Sequence, residues 1–361
     1  MTDVNSGLEG VVAFETQIAE PDREGGSLRY RGVDIEDLVG AVPYEKVWGL
    51  LVDEAFEPGL PPSEPFVLPQ PTGRAMSDLQ HATAGLAAAW ELRSLIDISE
   101  EQARADLRRV SATMLSIVAQ SGRAADGKAE AVDRGALERA ETAAERFLIE
   151  WRGEADPIHI QAIDTYWICT VEHGMNASTF TGRVVASTGA DCAAALSAAV
   201  GALSGPLHGG APARVLPMLD AASEAGDVES YVKGLLDRGE RLMGFGHRVY
   251  RAEDPRARLL RRAAKELGSA RFEVAEELER VALAELHARK PDRVLATNVE
   301  FWSAVVLDVA EIPPQLAPAM FACSRTGGWA AHVLEQKRLG KLIRPSARYI
   351  GPAARAVSAV S

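Results

Sequence analysis

From Ser77 to Arg338 the apolar residues recur mostly at steps of three and four, the spacing that gathers them on one face of an α-helix. A chain patterned this way has to bury helix against helix, because a half-buried sheet would need alternation at period two. The spacing predicts helices over Ser77–Leu95, Glu100–Gln120, Ala136–Trp151, Pro157–His173, Asn176–Ser187 and Asp191–Leu203. It continues over Asp227–Arg238, Pro255–Leu267 and Arg271–Arg289. Asn298–Ala310 and Pro314–Arg338 are strongly apolar for their length and are expected deep in the fold. Ser121 to Arg134 is small and charged, and reads as an exposed loop. Strand-like pieces are confined to Val11–Ile18 and Ser27–Tyr30, either side of the turn-rich Pro21 to Gly26, which predicts one small hairpin. The expected class is all-α with a minor N-terminal hairpin and no internal repeat.

A length of 361 residues suits two structural units with a substantial core. The net charge of −12 weighs against nucleic acid or an anionic membrane as partner, while leaving room for a local cationic pocket. Cys169, Cys192 and Cys323 are odd in number and widely spaced, so neither a disulfide framework nor a structural zinc site is expected. Met1 to Gly10 lacks the basic and apolar regions of a signal peptide, and no apolar run is long enough to span a bilayer. A cytoplasmic location is expected.

Three histidines sit in turn-forming surroundings. His208 lies in Gly205-Pro206-Leu207-His208-Gly209-Gly210, His247 in Gly244-Phe245-Gly246-His247-Arg248, and His173 in His173-Gly174-Met175-Asn176. Glycines let the backbone adopt unusual dihedrals and let a ligand approach the main chain. Imidazole is the side chain most readily used for proton transfer near neutral pH. Equally, each could be a turn residue satisfied by backbone groups. Asn176 could face the imidazole or cap the next helix. None of these histidines pairs with another at the spacing of helical metal ligands, so no metal site is expected.

Asp254-Pro255-Arg256 reads as a helix start, which puts Arg256 in the first turn, where the dipole disfavours a cation unless an anion joins it. Arg325 sits inside the apolar run Met320 to Trp329, where a buried guanidinium wants a carboxylate or phosphate. Arg344 is held extended by Pro345. Glu300 is the sole ionisable residue between Asn298 and Leu307. Burial would raise its pKa and make it a base, although Thr297 and Glu300 also have the spacing of a capping box.

Together these segments resemble the citrate synthase family over almost the whole chain. The opening Gly7 to Val11 and Leu28 to Ile35 resemble that family's start. His173 to Phe180, Gly205 to Ala211, Gly244 to Arg256, Asn298 to Trp302 and Ile343-Arg344-Pro345 are similar to its active-site segments. The resemblance implies an α-helical homodimer with a large domain from residues 1–209 and 310–361 and a small domain from 210–309 that closes over the substrates. It implies that His208 bonds the thioester oxygen of acetyl-CoA, that Glu300 removes the α-proton, and that His247 polarises the ketone of oxaloacetate. His173, Arg256, Arg325 and Arg344 would hold the oxaloacetate carboxylates, with Arg344 from the other subunit, and Arg251 would meet the CoA phosphates. No metal or cofactor is implied, and neither is the NADH inhibition of longer family members. One residue departs from the pattern, since the family's usual base is an aspartate. The same set would serve a 2-methylcitrate synthase using propionyl-CoA, and a catalytically silent dicarboxylate sensor is the rival of another class.

Overall fold

The chain begins with a three-stranded antiparallel sheet in the order β1 (Ala19–Asp22), β2 (Ser27–Tyr30) and β3 (Val33–Asp34). The structure is a computed structural model that describes residues 7–8, 10–22, 26–128, 132–208, 212–246, 253–291 and 295–357. The second strand falls where the sequence places it, but the first lies later than Val11–Ile18. Val11 and Val12 stay exposed, and pairing starts only after the buried Ile18, with Ala19 opposite Tyr30 and Pro21 opposite Leu28.

Helices α1 (Ile35–Leu38), α2 (Tyr44–Asp53), α3 (Ala75–Ala89), α4 (Glu100–Ala125), α5 (Arg134–Arg139) and α6 (Ala143–Arg152) follow. Then come α7 (Pro157–Thr170), α8 (Ala177–Ser187), α9 (Cys192–Leu203), α10 (Pro212–Ala225) and α11 (Val228–Asp237). The last are α12 (Pro255–Glu266), α13 (Phe272–Arg289), α14 (Val299–Val309) and α15 (Ala317–Leu339). Most starts carry a side-chain cap that the sequence announces: Ser99, Thr142, Asp156, Asn176, Asp191, Asp227 and Asp254 each accept a first-turn N–H.

Three expectations need correction. Helix α4 runs on to Ala125, because Ser121 is buried and donates to Asp78 Oδ2 at 2.6 Å, so the first part of the expected loop is helical. Ala136–Trp151 divides into α5 and α6, since Thr142 takes an extended backbone and caps a new helix. Helix α10 was not expected, because Pro217 lies inside it and reads as a breaker in sequence.

Helix α15 is the centre of the fold, packed by α2, α4, α7, α8 and α9. Two adjacent glycines make that closeness possible. A Cβ on Gly327 would meet Val171 Cγ2 at 2.8 Å, and one on Gly328 would meet Glu172 Oε2 at 2.1 Å. Each glycine costs a helix interior about 1 kcal/mol relative to alanine, and the dense contact around Trp48 and Trp329 offsets it. Tyr44 Oη lies 2.9 Å from the carbonyl oxygens of both Cys323 and Ser324, tying α2 to the turn that precedes Arg325. Helices α10 to α14 pack mainly on one another and meet the rest where α7 touches α12 and α14, where β2 touches α12 and where α10 touches α15. Among the described residues no helix is long and apolar enough to cross a membrane.

Asp164 accepts the Tyr44 N–H at 2.8 Å at the start of α2. Burial lifts its carboxyl to about 7, against the lowering effect of that N–H and with help from Glu45. A raised acid pKa means the folded state resists ionisation, so this group leaves stability intact near pH 4 and erodes it as pH rises towards 7. Asp164→Asn keeps an oxygen for the Tyr44 N–H. In urea denaturation it is expected to be more stable than the parent at about pH 8, with the gain vanishing near about pH 4.

Candidate active site

His208 follows α9, and its imidazole is fixed by the first turn of α8. The backbone N–H of Ser178 points at Nε2 at 3.3 Å, and Ser178 Oγ lies 2.9 Å from the same nitrogen. A hydroxyl can rotate but a peptide N–H cannot, so Nε2 accepts and the neutral ring carries its proton on Nδ1. Burial, then the neighbouring Arg325, push this imidazole down to about 4, against a weak opposing contact with its own carbonyl. It is therefore neutral at physiological pH. Asn176 caps α8 by accepting the Thr179 N–H at 3.1 Å, its Oδ1 also lies 2.9 Å from Ser178 Oγ, and Trp329 Nε1 donates to that hydroxyl oxygen from α15. The capping reading of Asn176 thus holds, and the cap orients the serine that sets the imidazole.

Arg325 lies on α15, 3% exposed, with its guanidinium 4.7 Å from the centre of the Phe321 ring, and that ring stands edge-on to His208 at 6.5 Å. Its Nε and Nη1 have no hydrogen-bond partner among the described residues. Burial lowers its pKa, Glu172 opposes that, and Arg256 adds to it, so the two arginines share one electrostatic neighbourhood. A buried guanidinium with unmet N–H groups is costly, and an anion brought to it relieves that cost.

Arg256 occupies the first turn of α12 as expected, but the anion that meets it is part of the protein. Its Nε donates to Asp254 Oδ1 at 3.0 Å and its Nη2 to Oδ2 at 2.8 Å, and both residues are buried. Asp254 also caps α12 through the Arg256 N–H and accepts the Val299 N–H at 3.1 Å, which joins the starts of α12 and α14.

Glu300 lies on that second start. The capping box expected from Thr297 does not form. Asn298 is the cap, accepting the Glu300 N–H at 3.0 Å, and Thr297 Oγ1 is buried without a partner among the described residues. The Glu300 carboxylate is left with no hydrogen bond to a described residue. Burial raises its pKa, Arg256 opposes, and Asp254 reinforces the rise. A short antiparallel contact brings the next loop alongside: Gly246 N–H donates to Ala296 O at 2.8 Å, and Asn298 N–H to Gly244 O at 2.9 Å. Gly244 has a positive φ of 86°, and a Cβ there would meet Phe301 Cβ at 2.6 Å, so glycine is required. His247 and Arg251 themselves lie outside the described residues. His173 stands partly buried at the turn after α7, where Gly174 takes a φ of +69°. Arg344 is exposed in the tail beyond α15. Among the described residues no cluster of three or more histidines, cysteines and carboxylates could hold a metal ion.

The family model described as "Citrate synthase, C-terminal domain" matches residues 7–346. The chain belongs to the citrate synthase family. A Mycobacterium tuberculosis protein named "Putative citrate synthase 2" is 61% identical over 355 residues, covering 98% of this chain and 95% of the relative. The citrate synthase of Haloferax volcanii is 35% identical over 370 residues, covering 97% and 96%. A solved ternary complex of carboxymethyl coenzyme A and oxaloacetate with citrate synthase from Thermoplasma acidophilum superimposes with a TM-score of 0.85. It is 28% identical, with 99% of this chain and 98% of that one covered. The citrate synthase of Pyrobaculum aerophilum gives 0.83 at 32% identity, with coverage of 98% and 94%.

In this citrate synthase homologue the sequence pointed to His208, Arg256, Arg325 and Glu300, but not to the residues that hold them. Ser178 and Trp329 carry no signal in isolation. Asp254 was legible as a cap, yet its pairing with Arg256 and its hold on α14 depend on the packing of two helices. Replacing Asp254 by Ala takes the carboxylate from a buried guanidinium and is expected to cost about 3–5 kcal/mol, measured by urea denaturation. A loss under about 1 kcal/mol would mean that the two helix starts do not depend on it.

Proposed function

We propose that this chain condenses acetyl-CoA with oxaloacetate and water to give citrate and CoA. What supports the reading is a neutral imidazole whose Nε2 accepts the Ser178 N–H, leaving its proton on Nδ1, and a carboxylate at the start of α14 that has no hydrogen bond to a described residue and whose pKa burial has raised. The α-proton of a thioester is very weakly acidic, so its removal needs a base and a donor for the developing enolate oxygen together. Glu300 takes the proton, and His208 Nδ1–H supports the oxygen. The α-carbon then attacks the ketone of oxaloacetate, which His247 polarises. His173, Arg256 and Arg325 receive the carboxylates, with Arg344 supplied by a second copy of the chain, and Arg251 meets the CoA phosphates. Water finally hydrolyses the citryl-CoA thioester, which drives the reaction forward. No metal or cofactor enters.

In this reading the enzyme is a cytoplasmic homodimer of the tricarboxylic acid cycle, with residues 1–209 and 310–361 as the large domain and 210–309 as a small domain that closes over the substrates. The mutual packing of α10 to α14 supports that division. The lack of hydrogen-bonding ties on Glu300 favours an enzyme over a silent dicarboxylate sensor. A 2-methylcitrate synthase would use the same residues on propionyl-CoA. One methylene in an apolar pocket is worth only about 1–3 kcal/mol, so the ratio of kcat/KM for the two acyl-CoAs decides between them.

The direct test is release of free CoA from acetyl-CoA, followed with a thiol reagent, and it should require oxaloacetate. Glu300→Gln is expected to lower turnover by about a thousandfold while oxaloacetate still binds, and near-parental turnover would remove Glu300 from its assigned role. Glu300→Asp draws the carboxylate back by about an ångström and should cost on the order of a hundredfold. That loss indicates a backbone set for the longer acid.

The base must be ionised to act. Activity should therefore fall on acidification through a pKa above that of an ordinary glutamate, and His208 should not protonate until about 4. An acid limb that is unmoved in Glu300→Asp would assign it to another group.

A further inference from the structure

The carboxylate of Glu172 is sealed inside the protein one residue before His173 and accepts a hydrogen bond from His332 Nε2 at 3.3 Å. His332 Nδ1 faces Arg183 Nη1 at 3.0 Å. A guanidinium only donates, so Nδ1 accepts and the imidazole directs its N–H at Glu172. Arg183 is itself anchored by Gln336 Oε1 at 3.1 Å, by Glu335 and by the Phe14 ring 4.2 Å away. The carboxylate has room only because residue 328 is glycine.

Its Oε2 packs against Gly328, one turn along α15 from Arg325, and has no hydrogen-bond partner among the described residues. Burial would raise Glu172, yet His332 and then Arg325 hold it below the usual carboxylate range, and Glu172 is the foremost charge supporting Arg325 in return. The two buried charges influence each other, yet no hydrogen bond joins them: His332 holds Oε1 of the carboxylate, while Oε2 and the Nε and Nη1 of Arg325 have no partner among the described residues.

We propose that Glu172, held by His332, is a fixed counter-ion that balances the charge of Arg325 while leaving its N–H groups to a substrate carboxylate. Glu172 is thus a positioning residue that sets how tightly the dicarboxylate is held, and His332 acts through it. The inference rests on the oxaloacetate reading above. A counter-ion bonded directly to Arg325 would compete with the substrate, and with none the pocket would release a polyanionic product slowly.

The test measures oxaloacetate binding by calorimetry, together with KM for both substrates, in the parent, Glu172→Gln and His332→Phe, with folding checked by circular dichroism. Glu172→Gln removes a negative charge that repels the ligand. Affinity for oxaloacetate should tighten about five- to tenfold, its KM should fall, and the KM for acetyl-CoA should not move. His332→Phe frees the carboxylate to turn to Arg325 and should weaken oxaloacetate by a similar factor. A folded Glu172→Gln with unchanged or weaker affinity overturns the assignment and leaves Glu172 a structural residue. If Glu172→Gln does not fold, His332→Phe decides alone: selective weakening of oxaloacetate supports the counter-ion, and no change overturns it. Failure of the parent to bind oxaloacetate would bring down the functional reading and this inference with it.

Discussion

The pair of Asp254 and Arg256, shut between two helix starts, is the constraint on which the candidate site depends. One carboxylate caps α12, accepts the first N–H of α14 and takes two hydrogen bonds from a guanidinium, all away from solvent. Charges buried like this are stable only when every lone pair and proton is met with good geometry. The relative placement of α12 and α14 is therefore narrowly defined, and Glu300 inherits that definition because it sits one residue after the N–H that Asp254 accepts. The loop leading to His247 is pinned to the same start by backbone pairing. A base that must reach a carbon-bound proton needs placement of this quality, since an error of an ångström is costly.

The second constraint is the long central helix. Gly327 and Gly328 weaken α15 as a helix but let α2, α7 and the turn bearing Glu172 and His173 approach its axis. That approach buries Arg325 and sets it against Phe321, His208 and Glu172. Cationic chemistry is thereby concentrated inside a protein whose net charge is −12. An acidic surface keeps the chain away from other polyanions, and a desolvated guanidinium draws a small one strongly because little water screens it. Burial, with the same field adding to it, keeps His208 neutral, so the imidazole serves as a donor of its Nδ1 proton and not as an acid already charged.

Much of this was legible in the residues. Helical periodicity gave the class, and Asp254 and Asn176 were readable as helix caps, because both signals are local. The misplacements have local causes as well. Pro217 hid α10, Thr142 cut one helix in two, and the buried Ser121 lengthened α4 through a bond to Asp78 that no window of sequence contains. Thr297 and Glu300 had capping-box spacing, but Asn298 took the cap because the helix begins at Val299, one residue later than that box requires. Arg325 stood out since a charge inside an apolar run must be answered. Its answering group, Glu172, lies some 150 positions earlier (about the length of a domain) and could be found only in the fold.

The sequence by itself determined a helical protein with histidines in glycine turns, a lone acid in an apolar helix and arginines in apolar settings, because those features follow from neighbours along the chain. The tertiary structure decided which of them meet. It turned Arg256 towards Asp254, left the Glu300 carboxylate without a hydrogen bond to a described residue, gave His208 its tautomer through the Ser178 N–H, and kept Glu172 near Arg325 without joining them. Those outcomes depend on distances between helices, and interhelical distance is fixed by packing, which no local pattern encodes.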